Sequence, residues 1–170
     1  MSRLSSELID GLNEQIKIEL ESFYIYHAMA TWFESLNWHN ASAFFKNQSQ
    51  EEFQHAEEFT RFLLDIGANV EFKALGQPPS KWGSIKAALD EVLAHERMVT
   101  DKISSLFEIA QTNKDFIAYP ILQKFLEEQV EEEAFASELT DRYDHFKGDD
   151  LLWDHRMKYS GQDETAETEL

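Results

Sequence analysis

Residues 41–66 read ASAFFKNQSQEEFQHAEEFTRFLLDI, and their spacing decides the architecture. Taken at alternating three- and four-residue steps, one face carries Ala41, Phe45, Gln48, Glu52, His55, Phe59, Phe62 and Ile66. That is the stripe of an amphipathic helix, apolar at both ends and polar in the middle, where Glu52 and His55 interrupt it together. The helix is expected to stop at Gly67, a residue suited to the left-handed conformation that ends helices.

The segment before it repeats the pattern. From about Ser6 to Leu36 the same steps give Ile9, Leu12, Ile16, Glu19, Phe23, Tyr26, Ala30 and Phe33, with Glu19 set in the seam. Ser5 or Ser6 serves as N-cap, and Glu7 places an anion at the positive helix end. A short polar turn, Asn37 to Asn40, joins the two helices. On the other side, Ala68 to Gly83 carries Gly76, Pro78, Pro79 and Gly83, a connection long enough to cross from one end of a helix bundle to the other.

A third helix is predicted from about Ser84 to Thr112, with Glu96 among Leu89, Val92, Val99, Ile103, Leu106 and Ala110. A fourth spans about Phe116 to Lys147, with Pro120 tolerated in its first turns. Its seam runs Leu122, Phe125, Gln129, Glu132, Ala136, Leu139, Tyr143 and Phe146. Gly148 closes it, Asp149 to Tyr159 has the pattern of a short amphipathic fifth helix, and residues 161–170 read as an acidic, disordered tail. The chain holds 6 glycines and 3 prolines, which are read as falling between the long segments. The expectation is an all-α fold: one domain over residues 1–160, a four-helix bundle with a long crossover between helices two and three.

In each long helix the polar interruption lies near the middle, so packing brings Glu19, Glu52, Glu96 and Glu132 to one height in the core. A buried ionised carboxylate without a partner costs several kcal/mol. No Lys or Arg occupies these seam positions, and one histidine cannot balance four carboxylates. A pair of divalent cations can. Glu52 and His55, at i and i+3, lie on one helical face and can ligate a single ion. An E-x-x-H in an acidic helix arises easily by chance, and it gains meaning from the three other helices that place a glutamate at the same level. Oxygen-rich ligation with one imidazole suits Fe(II) and Mn(II), with zinc a competitor.

Composition narrows the remaining classes. No cysteine is present, which removes disulfides, thiolate metal sites and thiol nucleophiles. The formal charge of −18 makes nucleic acid an improbable partner, since affinity there comes mainly from Lys and Arg, and makes cations natural ones. No apolar run is long enough to cross a bilayer, and no basic-then-apolar start marks the chain for export; a cytoplasmic protein is expected.

The motifs LNEQIKIELE at 12–21, QEEFQHA at 50–56, HE at 95–96 and FLEEQVEEE at 125–133 together resemble bacterial non-haem ferritins. The resemblance spans roughly Ser6 to Lys147. It implies an iron-storage cage, usually of twenty-four identical subunits, that oxidises Fe(II) with dioxygen and stores ferric mineral inside. It implies a first iron site at Glu19, Glu52 and His55, with Glu52 bridging to a second at Glu96 and Glu132, and Gln129 beside that ion. Glu51, Glu128 and Glu131 match a third site toward the cavity. Tyr26 resembles the family's tyrosine near the two irons, where it stabilises or donates an electron to oxidised species; an ordinary core tyrosine is the alternative. Glu52, His55 and Tyr26 are thus the expected catalytic residues. Bacterioferritins carry a second E-x-x-H in helix four, whereas here Glu128 is followed by Glu131, and Phe53 stands where their haem-ligating methionine would be, so haem is not expected. Rubrerythrins need a Cys-ligated iron module that this chain cannot build. One departure stands out: Lys124 occupies the place where some bacterial members have a tryptophan. Rival readings are a diiron oxidase or peroxidase acting on a small molecule, and a metal-free helical interaction module.

Overall fold

The structure, a computed structural model, describes residues 4–146 and 148–157. Five α-helices occur among them: α1 (Ser6–Ser35), α2 (His39–Asp65), α3 (Ile85–Asn113), α4 (Tyr119–His145) and α5 (Asp150–Met157). A single 3-10 turn, Phe116–Ala118, precedes α4, so that helix starts three residues later than its pattern implies. The expected tail and the end of the fifth helix lie outside the described residues.

Side-chain contacts fix the directions of the helices. Between α1 and α3, Gly11 faces Leu106, Ser22 meets His95 and Tyr26 meets Glu96, so the two run antiparallel. Between α2 and α4, Phe59 stacks on Phe125 and Phe44 packs on Phe135, again antiparallel. The connection after α2 then climbs beside α1 in the same direction as that helix. Asn13 donates to the Asn69 carbonyl and accepts from the Glu71 N–H, Glu14 pairs with Lys73, and Glu21 accepts from the Gly76 N–H. This strap returns the chain to the far end, and α3 therefore runs parallel to α2. The result is a four-helix bundle with a long crossover, as the proline- and glycine-bearing segment implies.

The termini show why the helices stop where they do. Ser5 and Ser84 cap α1 and α3 by accepting from Leu8 and Ala87 N–H groups. Asn37, Gly67, Lys114 and Gly148 take positive φ at helix ends, the left-handed conformation that closes a helix. The start of α2 has no local side-chain cap. Asp154 of α5 supplies one from 113 residues away, accepting from the Ala41 N–H at 2.9 Å and from Asn40 at 3.0 Å. That distant carboxylate lets α2 begin at His39, two residues before the expected start. Trp153, fully buried against Phe33 and Tyr143, holds α5 in place.

Glycine does not fall only between helices. Gly11 sits inside α1, where an added Cβ would lie 2.5 Å from the Leu106 Cδ2 atom. The glycine is there because α1 and α3 approach closely at that level.

The core divides into two apolar clusters. One gathers Leu8, Leu12, Ile16, Phe59, Ile103 and Phe125, and the other Met29, Phe33, Phe45, Leu89, Leu139 and Trp153. Between them lies a polar layer of Gln15, Glu19, Glu52, Glu96 and Gln129, all buried.

Candidate metal centre

Each long helix contributes to the polar layer at the level its seam predicts. Glu19 comes from α1, Glu52 and His55 from α2, Glu96 from α3, and Gln129 and Glu132 from α4. Glu19, Glu52 and Glu96 are 1%, 4% and 3% exposed, while Glu132 and His55 are half-buried. No lysine or arginine among the described residues forms an ion pair with any of the four glutamates.

The tightest grouping is Glu19, Glu52 and His55, whose candidate ligand atoms all lie within 4.8 Å of one another. His55 Nδ1 is 3.6 Å from Glu52 Oε2. Gln15, one turn before Glu19, donates to Glu19 Oε1 at 2.8 Å and so orients that carboxylate. Glu96 and Glu132 meet on the other side of the layer, where both line a small cavity with Tyr26. The Tyr26 hydroxyl donates a short hydrogen bond to Glu96 Oε1. Gln129 Nε2 donates to Glu96 Oε2 at 3.2 Å and to the Glu96 carbonyl at 3.2 Å. Both oxygens of Glu96 are thereby held.

The electrostatics follow from this crowding. Burial, and then the neighbouring charge of Glu52, pushes the Glu19 carboxyl well above its ordinary value. Glu52 is raised for the same first reason and by the charge of Glu96. Burial, with the charges of Glu96 and Glu51, lifts Glu132 to about 7. The Tyr26 phenol is pushed well up by burial and by Glu96, so it stays protonated. Carboxylates held back from ionising by burial and by one another's charge are a donor set matched to cations, because a metal ion can displace their protons and supply the missing positive charge. Glu19, Glu52 and His55 therefore have the chemistry and the spacing to hold a divalent cation.

The outer group behaves differently. Glu51 and Glu131 are exposed and Glu128 is half-buried, and together with His55, Glu58 and Glu132 they line an open cavity of about 270 Å³. Glu128 Oε2 lies 4.0 Å from His55 Nε2, linking this cavity to the inner layer, and it has no hydrogen-bond partner among the described residues. Phe53, at the position compared with a haem ligand, is exposed.

Two polar partners had no place in the seam reading. Gln15 sits at i−4 from Glu19, a spacing that flags it as a neighbour. Ser22 replaces Phe23 in the seam: Ser22 is buried, and Phe23 is half-buried against Phe53. The Ser22 hydroxyl donates to the Ile18 carbonyl at 3.0 Å, and its oxygen is hydrogen-bonded to His95 Nε2 at 2.7 Å. His95 is neutral, its pKa lowered by burial, and its ring stands edge-on to Tyr26. The pair fastens α1 to α3 one turn from the Tyr26–Glu96 bond.

Comparison with known proteins agrees with this architecture. A family model described as a ferritin-like domain matches residues 9–145. A bacterial non-heme ferritin of Escherichia coli O6:H1 is 32% identical over 139 residues, covering 82% of this chain and 84% of the relative. One of Staphylococcus aureus is 35% identical over 131 residues, covering 77% and 79%. Among solved structures, an open pore ferritin from the hyperthermophilic archaeon Archaeoglobus fulgidus superposes with a TM-score of 0.90 at 36% identity, covering 94% of this chain and 99% of that one. On the match to residues 9–145 and on relatives above 30% identity along most of its length, the chain belongs to the ferritin family.

Proposed function

We propose that this chain is an iron-storage ferritin subunit with ferroxidase activity, oxidising Fe(II) with dioxygen at a pair of ions bound within the four-helix bundle. The observation that carries the reading is the glutamate layer closed between two apolar clusters, with no lysine or arginine among the described residues paired to it. Fe(II) is the substrate. Glu19, Glu52 and His55 hold the first ion, Glu52 bridges, and Glu96 and Glu132 hold the second, with Gln129 and Tyr26 fixing the direction of Glu96. Two ions of charge +2 balance four carboxylates, and each Fe(II) gives up one electron to dioxygen. Glu132, held up to about 7 by burial and neighbouring charge, must shed its proton to bind, so loading releases protons and weakens in acid. Glu51, Glu128 and Glu131 form an outer ion site on the path to the mineral. The working form is a cytoplasmic homo-oligomer, a cage of twenty-four copies without haem.

An oxidase or peroxidase acting on an organic molecule would need open apolar space beside the ions. Phe59 and Phe125 occupy it, stacked with ring centroids 4.1 Å apart. A metal-free interaction module would leave the buried glutamates without compensation. The test is rapid Fe(II) oxidation by Glu52→Ala and His55→Ala proteins: both should lose the fast phase, and rates equal to the native protein's would overturn the assignment.

A further inference from the structure

Lys124 stands where the resemblance implies a tryptophan in some bacterial members, and the structure gives the lysine definite partners. Its ammonium makes a short ion pair with Glu58, lies 3.6 Å from Glu128 Oε1 and sits over the Phe125 ring at 5.2 Å. Glu58 and Glu128 both line the open acidic cavity beside His55. Glu128 therefore faces two ways, one oxygen toward Lys124 and the other toward His55 Nε2. Glu51, the other α2 glutamate of this cavity, accepts only a neutral hydrogen bond from Gln48 among the described contacts.

We propose that Lys124 is a specificity-determining residue of the iron site: its ammonium is the resident cation at the rim of the outer cavity, so a third divalent ion there competes with it for Glu128. The inference rests on the metal-site reading above. An ammonium on a flexible stem is a compact point charge, and it neutralises Glu128, one of the three carboxylates assigned to a third ion, together with Glu58 beside it. A neutral side chain at this position would leave Glu128 free for that ion. The lysine tunes the subunit toward holding two ions tightly and passing the next one on. Because the Lys124 ion pairs are partly exposed, the effect is modest and screened by salt.

The test is Mn(II) binding to the assembled protein, followed by calorimetry and by the electron paramagnetic resonance signal of free Mn(II). The native protein should take up two ions per subunit tightly and a third weakly. Lys124→Gln should tighten the third ion by about tenfold, Lys124→Arg should behave like native, and about 0.5 M salt should narrow the gap between Lys124→Gln and native. A third-ion affinity in Lys124→Gln equal to native, with the two inner ions binding normally, overturns the role given to the lysine alone. Native protein that binds no Mn(II) beyond the level of Glu52→Gln overturns the metal-site reading itself.

Discussion

Replacing Glu132 by glutamine separates the charge of the buried layer from its shape. Without metal, the Glu132 carboxyl stands at about 7 against an ordinary 4.5. A rise of that size corresponds to about 3 kcal/mol, and the residue's partial contact with water trims it toward about 2 kcal/mol. Below about pH 4.5 the group is protonated in folded and unfolded chains alike. Between there and pH 7 the folded chain keeps a proton that the unfolded chain has lost, and above pH 7 the fold carries a charge it disfavours. Stability of the metal-free protein therefore falls as pH rises through this window, opposite to a carboxylate that gains a salt bridge on folding. Glutamine has no proton to lose. Urea unfolding with metal removed by chelator, at fixed protein concentration, should find Glu132→Gln close to native at pH 5 and more stable by about 2–3 kcal/mol at pH 8. Adding Mn(II) should reverse the order, because the variant lacks a ligand. If the two proteins change stability in parallel between pH 5 and pH 8, Glu132 does not carry the buried charge assigned to it.

Two further substitutions probe the frame that holds the layer. Gly11→Ala brings a Cβ to 2.5 Å from Leu106; overpacking costs about 1–3 kcal/mol against a helix-propensity gain of about 1 kcal/mol, so thermal unfolding should shift downward, and a stabilised variant would contradict the close approach. Asp154→Ala removes the distant cap from α2, at a cost of about 1–2 kcal/mol. Limited proteolysis should then cut near α5 faster than in the native protein while Fe(II) oxidation persists; unchanged cleavage would mean that Trp153 alone secures that helix.

The seams of α3 were fully legible: every position read as apolar core or as Glu96 is buried. So was the shared level of the glutamates, because a polar residue inside an otherwise apolar stripe is conspicuous at helical spacing. The seam of α2 departs by one position from the regular ladder at several places. Strict three- and four-residue steps put Gln48, Phe62 and Ile66 inside, whereas Ser49, Ala56 and Leu63 are the buried ones. Over 27 residues a straight helix drifts from such a ladder, and small residues such as Ser49 and Ala56 give no hydrophobic signal while fitting the closest approach between helices. The contact of Ser22 with His95 lies outside the pattern for a related reason. The significance of the two residues lies in what they touch on another helix, which a one-dimensional pattern does not record. The cap from Asp154 to Ala41 spans 113 positions and leaves no trace in either local segment.

The way the strap is fastened bears on how this chain can change over generations. Asn13 and Glu21 grip it by main-chain groups at Asn69, Glu71 and Gly76, atoms that almost any amino acid supplies. Apart from Lys73, whose side chain pairs with Glu14, and Val70, which packs against the core, residue identity in that stretch matters less than its length, and one inserted or deleted residue there does more harm than several replacements. The constraint is held instead by the α1 surface beneath it, where swapping Asn13 alone unhooks two bonds at once.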